Sequence, residues 1–415
     1  MGTSRGIAAV FGVWIVVGML AAAFENPKDN EAVLDLNTIT GNAAILGKIE
    51  ALSKDPETAK RLVKAGAALA QQKDSPLGYN ASLILGRVAE KVKLADEGIA
   101  LYKQLGQLAA KRDSIRGVAT ALLGILELNT IAGRHEEAEK VCLELIRLRT
   151  TEEDPLNDVR GLAFRRMILA IARQGKEERA LKIIDDEIKA QPGNFLMIAL
   201  KAQLFVELNR YDDAATAYQE VIDKVSNNKD IDKATRDEFA NEYRYILSGI
   251  YTEAGKIDKA IEVLRDLLAR EPENPGYNND LGFIMADNDK NLEEAEKLIR
   301  KALEEDRKQA AKAAGGKVPE DYKDNPSYLD SMGWVLFKLG RPKDAKPYIE
   351  KAVEQTRGQN LEIYDHLGDI HQALGETSEA IAAWEKGLQF ASDSKRDQKR
   401  KISVEKKIKE AKSKK

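Results

Sequence analysis

A chain that repeats its own pattern at a fixed spacing is constrained to build itself from like parts, and residues 325–391 repeat. The stretch NPSYLDSMGWVLFKLGRPKDAKPYIEKAV, from Asn325, is followed by LEIYDHLGDIHQALGETSEAIAAWEKGL, from Leu361. Laying Gly333 on Gly368 puts Gly340 on Gly375, Ala345 on Ala380, Ile349 on Trp384 and Ala352 on Gly387, always 35 residues apart. A period of this size marks a stacked array of small units.

Each unit reads as two helices. In the first, Leu329, Met332 and Leu336, then Tyr364, Leu367 and His371, recur at helical spacing. Gly340 and Gly375 mark the turn, where a backbone shape that other residues resist is needed. The second helix carries Ala345, Ile349 and Ala352, then Ala380, Trp384 and Gly387, on one face. Small residues, Gly333 against Ala345 and Gly368 against Ala380, are expected to let the two axes approach. One such pair buries too few large side chains to offset the entropy of ordering its backbone, so neighbouring pairs must stack and share a core. The run of large residue, Leu or Met, Gly and aromatic, the turn glycine, and the Ala–large–small run of the second helix resemble the tetratricopeptide repeat family. The resemblance implies an all-α fold, a right-handed solenoid of stacked antiparallel helix pairs, with the first helices lining a concave face.

The same pattern extends upstream in looser form. Unit starts fall near 79, 119, 161, 195, 241, 275, 326 and 361, and a degenerate unit around Leu46, Gly47, Ala59 and Val63 precedes them. This predicts a helical array over 43–391 of about eight to nine units, most regular over 195–391. Extra residues between units are expected as loops, since lengthening a loop costs little. Val225–Glu238, with Asn227-Asn228, is one, and 315–325, after an overlong helix, is another.

The ends differ from the array. Gly6 to Phe24 carries no charge, follows a single arginine and ends on Ala21-Ala22-Ala23 before a polar stretch. Residues 1–23 therefore read as a secretory signal peptide or, uncleaved, as an N-terminal anchor, with 24–42 a flexible spacer. Both place the chain outside the cytoplasm, in the periplasm or cell envelope, or held to the inner membrane if the signal is retained. Residues 392–415 hold eleven Lys or Arg against four Asp or Glu, a net of +7 in a chain whose total is −3. They read as a capping helix or tail, with Ile402 and Ile408 packing on the last unit, or as a tether to anionic lipid or polymer. The overall charge gives no basic field for nucleic acid. The one cysteine, Cys142, cannot form an internal disulfide or a cysteine metal cluster.

Candidate chemistry is sparse. The histidines are His135, His366 and His371. Asp365 and Asp369 share a helical face with His366 nearby, a weak metal set without a third fixed ligand; His371 takes the place Leu336 fills in the preceding unit and reads as core. No nucleophile elbow, phosphate loop or His-Glu-x-x-His motif occurs. No catalytic, cofactor or metal site is assigned, and an enzyme is the least favoured reading. The stripe opposite each packing face is the better candidate: Tyr245, Asn279, Phe283, Asp330, Trp334, Phe337, Asp365 and Asp369. Aromatics beside carboxylates suit a peptide-binding groove for a basic or amphipathic protein ligand. The competing account is that Trp334 and Phe283 fill gaps between units and that the aspartates form a solvated face. The sequence thus predicts an exported scaffold that holds a protein or peptide in cell-envelope assembly or organisation.

Overall fold

The computed structural model describes residues 26–148, 156–392 and 394–413. The segment 1–23, expected to be a signal peptide or anchor, lies outside them. Among the described residues there are twenty α-helices and no strand, and neighbouring helices pack as antiparallel pairs along most of the chain. The chain divides into two compact units between Leu208 and Asn209.

The first unit holds α1 (Pro27–Asp35), α2 (Asn42–Ser53), α3 (Pro56–Ala70), α4 (Tyr79–Val92), α5 (Ala95–Lys111), α6 (Ile115–Ile131), α7 (His135–Arg147), α8 (Asn157–Arg173), α9 (Glu177–Ala190) and α10 (Phe195–Glu207). Helix α1 falls in the stretch read as a spacer. Asn26 caps it, Pro27 sits in its first turn, and Val33 and Leu36 are buried against Leu62, Val63 and Leu77. Farther along, Leu105, Leu122, Cys142, Leu145, Ile168 and Ile171 form one continuous apolar core. At its edge Tyr102 is fully buried. Its ring lies where a side chain on Gly86 or Gly124 would have to go, and its hydroxyl donates to Glu90 at 2.6 Å. Burial holds the Cys142 thiol up to about 12, and Arg166 only partly offsets that.

The second unit holds α11 (Tyr211–Ser226), α12 (Lys233–Glu253), α13 (Ile257–Arg270), α14 (Pro275–Asp287), α15 (Leu292–Ala313), α16 (Pro326–Lys338), α17 (Pro342–Val353), α18 (Leu361–Ala373), α19 (Thr377–Leu388) and α20 (Lys395–Ser413). Of the stretch 225–238 expected as a loop, only 227–232 lies between helices. Asp232 caps α12, accepting from the Thr235 N–H at 3.1 Å, and so starts the helix earlier than hydrophobic periodicity alone indicates. Asn274 and Asn325 act likewise ahead of Pro275 and Pro326. Helix α15 runs 22 residues, and the irregular segment after it is pinned by the fork of Arg307 on Asp324, both contacts at 2.6 Å.

The repeat glycines do their work here. Gly340 and Gly375 have φ of +74° and +78°, the left-handed turn between the helices of a pair. A side chain on Gly333 would fall on Ile349, and one on Gly368 on Trp384, so the glycines face the large residue of the second helix more closely than the alanine. These two contacts occupy equivalent places 35 residues apart. In α20 the packing face differs from the one expected: Val404, Ile408 and Ala411 are buried, whereas Ile402 is 70% exposed. Val404 and Ile408 are four apart and share a face; Ile402 lies on the opposite side.

Candidate functional site

The stripe singled out in the sequence lies along the first helices of the second unit, α12, α14, α16 and α18. Most of it is turned between helices. Tyr245 is the most open member, 38% exposed, and its hydroxyl donates to Asp280 while its ring lies 5.2 Å from that of Tyr277. Asn279, Asp330 and Asp365 are all at least nine-tenths buried. Phe283 is half-buried, its ring 6.4 Å from His366. Trp334 stacks on the His366 imidazole at 4.0 Å with a 15° tilt, lies 5.2 Å from Phe337, and donates its indole N–H to Asp287 at 3.1 Å.

A regular polar ladder runs through these contacts. The Tyr245 hydroxyl reaches Asp280, 35 residues on. Asp330 meets the Nδ1 of His366 at 2.8 Å, 36 residues on. Asp365 accepts from Arg400 at 3.1 Å, again 35 residues on. Each link joins one first helix to the next, and the last joins α18 to α20. The C-terminal helix therefore takes the place that another first helix would occupy. One rung is missing. Asn279 holds the position equivalent to Asp330, but its Nδ2 turns to Asp280 at 3.0 Å and its buried Oδ1 has no partner. Ser331, the residue it would meet, donates instead to the Ser327 carbonyl at 2.9 Å.

The electrostatics follow from this packing. Burial opposes a charge on His366, but Asp330, by charge and hydrogen bond, carries its pKa above the ordinary histidine value. At the end of the ladder Lys407 sits between Asp365 at 2.7 Å and Asp369 at 2.6 Å, and Arg400 also donates to Glu362 at 2.7 Å. Burial raises the Asp369 pKa despite Lys407, and the neighbouring Asp365 adds to the rise. Glu362, Asp365 and Asp369 are thus matched by cations of α20. The side-chain partners His366, Asp280, Asp287, Arg400 and Lys407 were not singled out as part of the stripe. A 35-residue step from Tyr245 and from Asp365 leads to Asp280 and Arg400, and His366 lies one residue beyond the same step from Asp330.

The metal set considered from sequence is split, because His366 faces Asp330 whereas Asp365 and Asp369 face α20. Among the described residues no group of three or more His, Cys, Asp or Glu is placed to hold a metal ion. His371 is buried and bonded to Glu376 at 2.5 Å. In the first unit His135 lines a cavity of about 320 Å³ with Thr130, Arg166, Arg173 and Gln203. Its arginines are engaged: Arg173 with Glu207 at 2.8 Å and Arg166 with Glu127 at 3.4 Å. A second cavity, of about 350 Å³, opens beside α20 and is lined by Phe337, Asp369, Ala373, Trp384, Lys407 and Ala411 among others. Among the described residues no helix is long and apolar enough to cross a membrane.

Comparison with known proteins agrees with this architecture. Two tetratricopeptide repeat family models match, one over residues 199–275 and 331–395, the other over 251–317. A TPR repeat-containing protein of Pseudomonas aeruginosa, PA4667, is 27% identical over a stretch covering 48% of this chain. That stretch is 35% of the relative's length, so the chain spans about a third of it. Among solved structures, yeast Tom70 superposes with a TM-score of 0.53 at 16% identity, covering 92% of this chain and 77% of Tom70. A tetratricopeptide repeat protein of Parabacteroides merdae gives 0.45 at 15% identity, over 69% of this chain and 98% of its own. The repeat glycines, the paired helices and the two family models identify tetratricopeptide repeats within residues 199–317 and 331–395.

Proposed function

We propose that the protein is an exported, non-catalytic scaffold that holds a basic amphipathic segment of a partner protein in cell-envelope assembly or organisation. Tetratricopeptide repeats support protein interaction in general. The observation that carries the finer reading is α20 itself. It is a basic amphipathic helix, and it is held on the first-helix face by Arg400 and Lys407 against Glu362, Asp365 and Asp369, with Val404 and Ile408 buried beneath. The face therefore has the chemistry to grip such a helix. Upstream of α20 the same face offers Asp280 and Asp287 beside Tyr245, Phe283 and Trp334, apolar anchors with carboxylates to orient a cationic ligand. Export rests on the uncharged run 6–24 followed by small and then polar residues.

A photo-crosslinking amino acid in place of Tyr245, in the full chain and in intact cells, tests both parts. The expected product joins position 245 to a partner segment rich in Lys or Arg with apolar residues at helical spacing. No product, or an acidic segment, removes the groove. Cell fractionation reads location separately, and recovery only in the cytoplasm would remove the export reading and leave the groove standing.

A further inference from the structure

Helix α20 has a second face, and among the described residues no other helix pairs with its charges. Arg400, Val404, Lys407, Ile408 and Ala411 turn inward. Lys399, Ile402, Lys406 and Lys409, at steps of three, four and three, turn outward, and all four are exposed. Among the described residues Lys399 and Lys409 have no ion-pair partner, and Lys406 has only Glu410 of its own helix, at 3.8 Å. In the middle of this stripe Ile402 stands 70% exposed. The inward ion pairs hold the helix in place, so the stripe is a fixed, straight row rather than a loose tail.

We propose that this outward face of α20 docks the protein on an anionic lipid bilayer. The charge pattern fits a plane of negative headgroups. Three lysines spread over ten residues cover about 15 Å along one side of a helix, and each lysine brought near such a surface is worth roughly a five-fold gain in partitioning. Ile402 favours a bilayer over a nucleic acid or an anionic polysaccharide. A polyanion rewards the lysines but leaves this side chain in water, whereas a bilayer takes it into the interfacial zone. A single such signal gives weak, reversible binding, and stable anchoring takes two. The uncharged run 6–24 supplies a second apolar signal in the same sequence if it is retained. The docking face and the groove proposed to grip a partner use different residues, so the two readings stand or fall separately.

The test is co-flotation of the full chain with vesicles of equal parts phosphatidylglycerol and phosphatidylcholine, against phosphatidylcholine alone, with heparin as the polymer control. Binding to the neutral vesicles reads any contribution of residues 6–24. Above that background the protein should bind anionic vesicles in a salt-sensitive way. The triple variant Lys399→Glu/Lys406→Glu/Lys409→Glu should lose roughly a hundred-fold of this binding while keeping its circular dichroism and thermal midpoint. Ile402→Ser should weaken vesicle binding several-fold and leave heparin binding unchanged. Equal binding by the triple variant, or binding to heparin tighter than to vesicles with no effect of Ile402→Ser, overturns the proposal.

Discussion

Where the first unit fills the hollow between its helices with a tyrosine ring and little else that is polar, the second fills the corresponding hollows with Ile349 and Trp384 and runs a file of ionisable groups beside them. Tyr102 fills the hollow left by Gly86 and Gly124, within an otherwise apolar core. In the second unit the hollows at Gly333 and Gly368 are filled by Ile349 and Trp384, but a file of buried polar side chains runs beside them, with Asp330 and His366 at its centre. Apolar filling stabilises in proportion to area and tolerates sliding. A buried ion pair adds little net stability but penalises every arrangement that leaves one partner alone. The second unit therefore trades strength of cohesion for a defined stacking register.

That contrast can be broken by substitution, read through hydrogen exchange in each unit. Tyr102→Ala opens a cavity and should cost about 3–5 kcal/mol in the first unit. Asp330→Ala strands a buried imidazole and should cost a similar ~3–5 kcal/mol in the second. The double variant Asp330→Leu/His366→Leu sharpens the point, because removing both partners should recover most of that loss. If the double change is as damaging as the single one, the pair is a source of cohesion and the contrast fails. Asn279→Leu removes the one orphaned rung, and a gain of up to about 1 kcal/mol is expected where the same change at a satisfied polar site would cost stability. The smallest effect is that of pH. The folded-state pKa of His366 is raised, so its contribution is complete below the unfolded histidine value of about 6.5 and is lost as pH rises through the raised value. Unfolding midpoints measured from mildly acidic to alkaline pH should show this fall in the second unit, and His366→Gln should flatten it.

The pairing of helices was legible because it rests on local facts: the 35-residue offset, the turn glycines and the apolar spacing. The fate of the polar stripe was not. Asp330 reads the same in a sequence whether water or a histidine 36 residues away faces it, and only the stacking of α18 on α16 decides. Trp334 shows both accounts at once: it packs on His366 and keeps part of its ring accessible. The C-terminal helix packs on the last pair through Val404 and Ile408 and leaves Ile402 outside. Apolar spacing alone does not separate Ile402–Ile408 from Val404–Ile408, and the salt links of Arg400 and Lys407 settle it. The helix at 27–35 is hidden by polar composition, since a proline-started helix of nine residues, with Val33 and the following Leu36 buried, suffices there.

The lone thiol of the first unit carries a practical consequence. Sealed from solvent and held protonated well into alkaline pH, Cys142 is inert to alkylating and oxidising reagents for as long as α7 stays docked. Its rate of labelling is then a clock for breathing of that layer, a built-in probe that needs no engineered tag and reports on one half of the molecule alone.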